Sequence, residues 1–317
     1  MAIRDNPLFT DTYSDLSDFA PEEGSTYIFG ASAEERSSHY KDWESKVTNI
    51  KFVNIIEQQP TFFIAEENGI ATTTVFLRAN DQIKSFLESI QSKVLYLDIT
   101  GLSHHIWAPL LKMALKIGCQ EVLGLYVEPE QYRFHQAPKE GEIFDLSEKI
   151  TGIAPIPGFI RLGEPSDEEK VCFVPLLGFE GTRLAYLIEM VQPPGGKIMP
   201  IIGVPGFRAE YPFYTYHGNQ QPLLRTQAWR NVQYAVANCP FSAFYSLEKI
   251  ASKNAGNLLK IAPIGTKPHA LGGVLYAIIN QNFTELVYDH PIRKPKRTAG
   301  KSRLLVYHIS AFTNQVS

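Results

Sequence analysis

Residues 257–280 read NLLKIAPIGTKPHALGGVLYAIIN. The run Asn257–Ile264 is mainly apolar, which is typical of a strand buried in a parallel sheet. A turn rich in glycine follows over 265–272, and the apolar stretch Gly273–Asn280 predicts a helix. A strand that passes through a short turn into a helix is the building unit of α/β proteins.

The same alternation runs along most of the sequence. In the first half it predicts a strand at 27–30, strands at Ile50–Ile56 and Thr61–Ala65, a helix at Asp81–Ile90, a strand at Val94–Ile99, a helix ending at Lys116 and a strand at Glu121–Tyr126. In the second half it predicts strands at 171–177, Lys197–Val204 and Glu285–Tyr288, and helices at Leu184–Val191, Gln227–Asn238 and Ser242–Lys253. We therefore predict an α/β protein of two Rossmann-like halves, each with a mostly parallel sheet covered by helices.

Composition places the boundaries between these halves. Residues 1–24 are polar and acidic and are predicted to be an arm that is flexible unless a partner holds it. The first half spans 25–128, and a linker rich in proline, glutamate and glycine spans 129–169. The second half spans 170–317 and ends in a basic segment.

The overall composition excludes several classes of protein. Of the 317 residues 44% are hydrophobic and 20% are charged, which excludes a mainly disordered chain. The net charge of −3 gives no global field for nonspecific binding of nucleic acid. Three widely spaced cysteines and scattered histidines predict neither a disulfide framework nor a zinc site. An acidic N-terminus and the absence of a long apolar run predict a cytoplasmic protein with no membrane contact.

The turn after Ile264 is the strongest candidate for a ligand site. Gly265 lets the backbone approach a ligand, Thr266 offers a hydroxyl, Lys267 a positive charge and His269 a ring nitrogen. The start of the next helix offers N–H groups that suit a phosphate. The spacing is not that of a Walker A loop. An ordinary turn with a solvated lysine is the alternative.

A second candidate lies at the matching position after the strand at 171–177. Gly178 would allow close approach, Glu180 could accept from a ribose or a base, and Arg183 could hold a phosphate. Arg36 has the same relation to the first strand of the first half, and Asp289 should lie near the turn at Lys267. Ordinary capping of the helix is the alternative.

Two carboxylates in the first half are candidates for catalysis. Asp98 ends an apolar strand and is followed by Thr100 and Gly101, and Glu35 should lie at the same edge of the sheet. Paired with Glu34 or Glu35, Asp98 could hold a divalent metal or act as a general base. The alternative is that Asp98 caps the turn that follows it.

The segment 291–303 contains six basic residues and no acidic one. It predicts a surface that faces phosphate, a nucleic acid or a partner, although a solvated basic tail is the alternative. The basic residues are Arg293, Lys294, Lys296, Arg297, Lys301 and Arg303.

Two of these turns resemble a known family. Asp98-Ile99-Thr100-Gly101 and the turn 264–272 are similar to the ligand turns of CRISPR-associated Rossmann-fold (CARF) sensors, and two such units in one chain resemble the SAVED sensors of anti-phage systems. The resemblance implies a cyclic oligonucleotide ligand that contacts Gly265, Thr266 and Lys267, with Thr100 and Gly101 as a weaker copy. The first copy departs from the pattern, since Ser103 and His104 stand where the lysine is expected.

The sequence thus predicts a sensor or accessory subunit that binds a phosphorylated nucleotide at the carboxyl ends of strands, in a prokaryotic defence system and with no further cofactor. Its partner would be a second copy of the chain or a separate effector protein. A nucleotide-processing enzyme, either a ring nuclease or an N-glycosidic hydrolase that uses Glu35 or Asp98, is the first alternative. A structural subunit with empty pockets is the second.

Overall fold

The computed structural model describes residues 9–139, 142–144, 146–160 and 170–316. The strands are β1 (Thr10–Tyr13), β2 (Thr26–Phe29), β3 (Lys51–Gln58), β4 (Phe62–Glu67), β5 (Ala71–Phe76), β6 (Val94–Asp98), β7 (Glu121–Val127), β8 (Gln131–Tyr132), β9 (Phe134–Lys139), β10 (Glu142–Phe144), β11 (Ser147–Ile150), β12 (Ala154–Pro155), β13 (Val171–Leu176), β14 (Ile201–Gly203), β15 (Gln233–Ala235), β16 (Leu258–Pro263), β17 (Thr284–Tyr288), β18 (Pro291–Arg293), β19 (Thr298–Ala299) and β20 (Leu304–His308). The α-helices are α1 (Asn80–Ser89), α2 (His104–Lys116), α3 (Gly181–Val191), α4 (Tyr211–Arg225), α5 (Pro240–Lys253), α6 (Lys267–Ile279) and α7 (Ile309–Val316), and short 3₁₀ helices lie at Leu16–Asp18, Glu35–Asp42, Glu44–Lys46, Ala228–Asn231 and Gln281–Phe283.

The chain folds into two compact units. Unit 1 contains the residues up to Tyr132 and those from Thr298 onward, and unit 2 is Arg133–Arg297. The chain leaves unit 1 after β8 and re-enters it at β19, and these two short strands pair with each other. The sequence placed the C-terminal residues in the second half. That boundary is wrong for residues from Thr298 onward, because β20 lies inside the sheet of unit 1.

Unit 1 is built on an eight-stranded sheet in the order β1-β20-β7-β6-β2-β3-β4-β5. The four central strands β7, β6, β2 and β3 are parallel. The outer strands β1, β20, β4 and β5 run antiparallel to their neighbours. Tyr27 and Trp43 lie in the aromatic core on one face of this sheet, and both are fully buried.

Unit 2 is built on a six-stranded sheet in the order β12-β17-β16-β13-β14-β15. All strands but the edge strand β12 are parallel. The chain adds β14 and β15 on one side of β13 and then returns to add β16 and β17 on the other. The predicted α/β class with mostly parallel sheets is confirmed, and in both units the order of the parallel strands reverses beside the first of them.

The acidic arm differs from its prediction where the structure describes it. Residues 10–13 form β1, which pairs with β20, and Phe19 packs edge-on against Trp43. The Asp15 side chain accepts a hydrogen bond from the N–H of Ser17 and so caps the turn that follows. The expectation of a flexible arm is therefore wrong from Thr10 onward. The composition of this segment is typical of a solvated chain, but tertiary contacts hold it in place.

Two further elements of unit 2 differ from the sequence prediction. The predicted helix Gln227–Asn238 is wrong, because residues 228–231 form a short 3₁₀ turn and β15 follows it. Gln227 has a φ of 57°, a left-handed conformation that ends a helix rather than beginning one. Helix α4 is an element that the sequence did not predict. Its prolines and four aromatic residues hide the helical period.

Candidate functional site

The strand order of unit 2 reverses between β13 and β16. In α/β sheets, ligands bind in the crevice at the carboxyl ends of the strands at such a reversal. Residues 177–180 follow β13, and residues 264–266 follow β16. The structure therefore brings four predicted site residues, Gly178, Glu180, Gly265 and Thr266, to one edge of one sheet.

Gly178 and Gly265 face each other across this edge. A Cβ atom on Gly178 would lie 2.9 Å from the carbonyl oxygen of Ile264, and one on Gly265 would overlap the carbonyl oxygen of Leu177. Side chains at these positions would therefore push the two loops apart. The close approach that the sequence assigned to a ligand is made here by the neighbouring loop.

Helix α6 begins at the same edge. Thr266 caps it, because its Oγ1 accepts from the N–H of His269 at 3.2 Å, and the same hydroxyl donates to the carbonyl of Ala237 at 2.8 Å. The His269 ring is fully buried and its Nε2 donates to the carbonyl of Val236 at 3.0 Å. Burial lowers the pKa of His269 to about 4, so this ring is neutral at pH 7. Lys267, half-buried at the first position of the helix, brings the positive charge of this turn.

Arg183 and Asp289 bind each other. The guanidinium donates through Nε and Nη2 to the two carboxylate oxygens at 2.7 and 2.6 Å, and through Nη1 to the carbonyl of Ile264 at 3.0 Å. Both side chains are buried. Burial alone would raise the pKa of Asp289, but the hydrogen bonds and charge of Arg183 outweigh it and hold that pKa below its ordinary value. Both residues were expected to face a ligand, and the structure instead gives each the other as its partner.

Glu180 and Arg293 form a more open part of this edge. The Oε2 of Glu180 accepts from the Ser147 hydroxyl at 3.0 Å and lies 3.5 Å from Nη1 of Arg293 and 3.7 Å from Nη1 of Arg183. The side chain of Arg293 is 27% exposed. Burial together with the charges of Arg183 and Arg297 lowers the pKa of the Arg293 guanidinium. Arg293 is thus a partly exposed cation that shares one carboxylate with a second arginine.

The basic segment is divided between the two units. Arg293, Lys294, Lys296 and Arg297 belong to unit 2. In unit 1, Lys301 lies 2.6 Å from Asp42, and Arg303 lies 2.9 Å from the buried carboxylate of Glu128. These two basic residues are therefore partnered by acids of the same unit.

Three phenylalanines stack over the loop that follows β13. The ring of Phe144 lies on that of Phe179 with centroids 4.5 Å apart, and the ring of Phe134 lies on Phe144 at 4.9 Å. Tyr211 and Tyr214 meet this stack edge-on. The residues of β9 and β10, which the sequence assigned to a linker, thus provide the aromatic part of this edge.

Unit 1 buries its matching arginine as well. Arg36 donates through Nε to Glu34 at 2.8 Å and through Nη1 to the carbonyl of Val127 at 2.8 Å, and its guanidinium lies 5.3 Å from the centre of the Tyr126 ring. The Thr298 hydroxyl donates to the same carboxylate oxygen of Glu34 at 2.7 Å. In both units, the arginine that follows the first parallel strand donates to a backbone carbonyl at the carboxyl edge of the sheet.

Asp98 is the centre of a fully enclosed network. Its Oδ2 lies 2.8 Å from Nε2 of His39 and accepts from the Tyr27 hydroxyl at 3.0 Å, and its Oδ1 accepts from the N–H of Thr100 at 2.8 Å. Burial alone would raise the pKa of Asp98, but His39 and Thr100 hold it below its ordinary value. Glu35, the other candidate for catalysis, is exposed on the surface.

The sequence found Asp98 but not its partners. His39 and Tyr27 are fully buried, and they are 59 and 71 residues from Asp98 along the chain. Their spacing in the sequence carries no signal of contact. Thr100 and Gly101 also have partners within unit 1, since the Thr100 hydroxyl accepts from the N–H of Val127 at 3.0 Å and Gly101 packs on the Gly30 carbonyl.

Among the described residues, no group of three or more histidines, cysteines and acids could hold a metal ion. No helix in the described part of the chain is long and apolar enough to cross a membrane. The sequence matches no protein-family model, and no curated protein matches it.

Proposed function

We propose that unit 2 binds the phosphate groups of a nucleotide at the carboxyl edge of its sheet, and that the protein is a nucleotide sensor or accessory subunit. Arg293 and Lys267 would be the cationic contacts, and Glu180 would accept hydrogen bonds from a sugar or a base. Arg183 and Asp289 would hold the edge together without touching the ligand, since their hydrogen-bonding atoms are used within the pair.

The state of Arg293 is the observation that carries this proposal. It shares Glu180 with Arg183, and burial together with the nearby guanidinium groups lowers the pKa of Arg293. A guanidinium in such surroundings gains more from an added anion than one with a carboxylate of its own. Its planar group also matches the oxygens of a phosphate.

The position of Lys267 supports the same class of ligand. It starts α6 at the reversal of strand order, where the positive end of the helix dipole favours a phosphate. The carbonyl of Ile264, just before this turn, accepts from Arg183, and Arg183 lies beside Glu180. This chain of contacts connects the Lys267 turn with the Glu180–Arg293 pair. The resemblance of the turn to CARF sensors favours a cyclic oligonucleotide and a role in prokaryotic defence.

Binding is favoured over catalysis by the state of Asp98. All its described partners are internal, and the residue is only 1% exposed. A general base has to reach the proton that it removes, within about 3 Å or through one water.

Mass spectrometry of small molecules released from the purified and denatured protein tests the proposal directly. We expect an intact nucleotide. Reaction products would instead support the enzyme alternative, and the absence of any nucleotide would support a structural subunit.

Calorimetry with ATP and with cyclic oligoadenylates then tests the residues. We expect Arg293→Gln and Lys267→Gln each to weaken binding by about 10- to 150-fold, because each removes a charge-assisted hydrogen bond of ~1.5–3 kcal/mol. Arg230→Gln is the matched control, since Arg230 lies over the Trp229 ring away from this edge. Unchanged affinity of Arg293→Gln would remove the edge from the site.

A further inference from the structure

β5 forms one edge of the sheet in unit 1. β5 ends the eight-stranded sheet, and in the described part of the chain no strand pairs with its outer side. Its sequence, Ala71-Thr72-Thr73-Thr74-Val75-Phe76, contains no charge and no proline, and its six pairs with β4 run without a bulge. Proteins usually protect an edge strand with one of these devices.

The opposite edge of the same sheet shows such protection. β1 carries Asp11, which lies 2.7 Å from His308 on β20 and is more than half exposed. A charge on an edge strand discourages pairing with another chain. The two edges of one sheet therefore differ, and only β5 offers an uncharged ladder.

The outward-pointing backbone groups of β5 can be assigned from its pairing with β4. The N–H of Leu77 donates to the carbonyl of Thr61 at 2.9 Å, so this pair is hydrogen-bonded within the hairpin. Because such pairs alternate along an antiparallel ladder, Thr73 and Val75 also bond to β4, and Thr72, Thr74 and Phe76 point outward. The side chain of Gln82 already accepts from the N–H of Phe76 at 3.1 Å. The N–H and carbonyl groups of Thr72 and Thr74 are left for a partner strand.

We propose that a second copy of this chain pairs with β5 along this edge, antiparallel, about a two-fold axis at Thr73. In this register Thr72 of each copy lies opposite Thr74 of the other, and the two pairs exchange four backbone hydrogen bonds. The bond between Gln82 and Phe76 marks where this ladder ends, so no existing contact has to break. This proposal does not depend on the nucleotide site, which is in unit 2.

Side chains at the two ends of the edge favour a second copy over another partner. Ile70, just before β5, is 90% exposed, and Phe76 at its end is 50% exposed. Ile70 belongs to the turn that joins β4 to β5, and Phe76 lies on the same face of β5 as Thr72 and Thr74. The two-fold axis at Thr73 brings Ile70 of each copy to Phe76 of the other. One such apolar contact then forms at each end of the shared edge.

The axis also places Thr73 of one copy directly opposite Thr73 of the other, which gives a specific test. We expect the wild-type protein to sediment as a monomer–dimer equilibrium when its concentration is raised into the hundreds of micromolar. Thr73→Lys and Thr73→Glu should each weaken association by ~fivefold or more, because like charges then face each other. An equimolar mixture of the two variants should associate again, because the charges are then opposite.

Two further variants separate this effect from a loss of folding. Thr12→Lys, on the exposed edge strand β1 of the same sheet, should leave association unchanged. Thr74→Pro removes an outward N–H without touching the β4 ladder, so it should reduce association while thermal unfolding stays close to wild type. A wild-type protein that is monomeric throughout, or variants at Thr73 that associate like wild type, would overturn the proposal.

Discussion

Each unit buries the arginine that follows its first parallel strand, but the two arginines have different partners. In unit 1, Arg36 has Glu34 as a partner, and Thr298 further satisfies that carboxylate. In unit 2, Arg183 takes both oxygens of Asp289 and still lies 3.7 Å from Glu180, which Arg293 also approaches. The charges of the first cluster are matched within it, whereas the second leaves a partly exposed cation at the edge of the sheet. The shared architecture therefore leaves a partly exposed cation beside the buried arginine of unit 2, whereas the cluster around Arg36 in unit 1 is matched by Glu34.

Removing each arginine should give the largest effect. Arg183→Met leaves the buried carboxylate of Asp289 without its bidentate partner, so we expect the free energy of unfolding to fall by ~3–5 kcal/mol. Arg36→Met should cost less, ~1–3 kcal/mol, because Glu34 keeps the hydroxyl of Thr298. Urea unfolding of both variants measures the difference. Equal losses would show that the two clusters are energetically alike.

Acid should act on unit 2 through His269. Its pKa is about 4 in the folded protein against an ordinary value of 6.5, so between these values the unfolded chain binds a proton that the folded one does not. The free energy of unfolding should therefore fall as the pH drops from about 6.5 to about 4, by up to ~3 kcal/mol. Asp98 in unit 1 is an acid whose pKa is lowered in the folded protein from its ordinary value of 3.8. Its carboxylate therefore stabilises unit 1 above pH 3.8, and this stabilisation is lost only below that pH.

Hydrogen exchange resolved by peptide checks this difference between the units. The protection factors of amides in α6 and β15 should fall between pH 7 and pH 4.5 by more than those of amides in β6. His269→Gln should lose most of that dependence on pH. The same dependence in β6 would assign the acid sensitivity to the whole chain.

The smallest effect is expected at the ion pair of Lys301 with Asp42. Both side chains are partly exposed, at 24% and 34%, so Lys301→Gln should change the free energy of unfolding by only ~0–1 kcal/mol, and by less in high salt. Thermal unfolding at low and high ionic strength checks this value. A larger loss would mean that the re-entrant part of the chain depends on this pair.

The sequence alone predicts the strands and helices that are determined by their own pattern of apolar residues. The strand before Gly265 and the helix after it are local features, and β6 and α2 follow from apolar runs of the expected length. It was insufficient where a distant segment decides the outcome. β1 exists because β20 pairs with it almost 300 residues later, and nothing within residues 10–13 indicates that partner.

The candidate site shows the same limit. Arg183 and Asp289 were both found as charged residues at the edge of a sheet, but their mutual contact was not, because they lie 106 residues apart. Ser147 and Phe144 were hidden in a stretch whose prolines and glycines read as a linker. Residue types thus indicated an edge rich in charge, and only the fold showed which charges neutralise one another.

The return of the chain to unit 1 at Thr298 has a consequence for its synthesis on the ribosome. β20 lies between β1 and β7, so among the described residues β1 has no partner strand until residues 304–308 have been translated. Every residue of unit 2 emerges before that moment. Unit 2 can therefore complete its fold during translation before β1, which is translated ahead of it, can pair with β20.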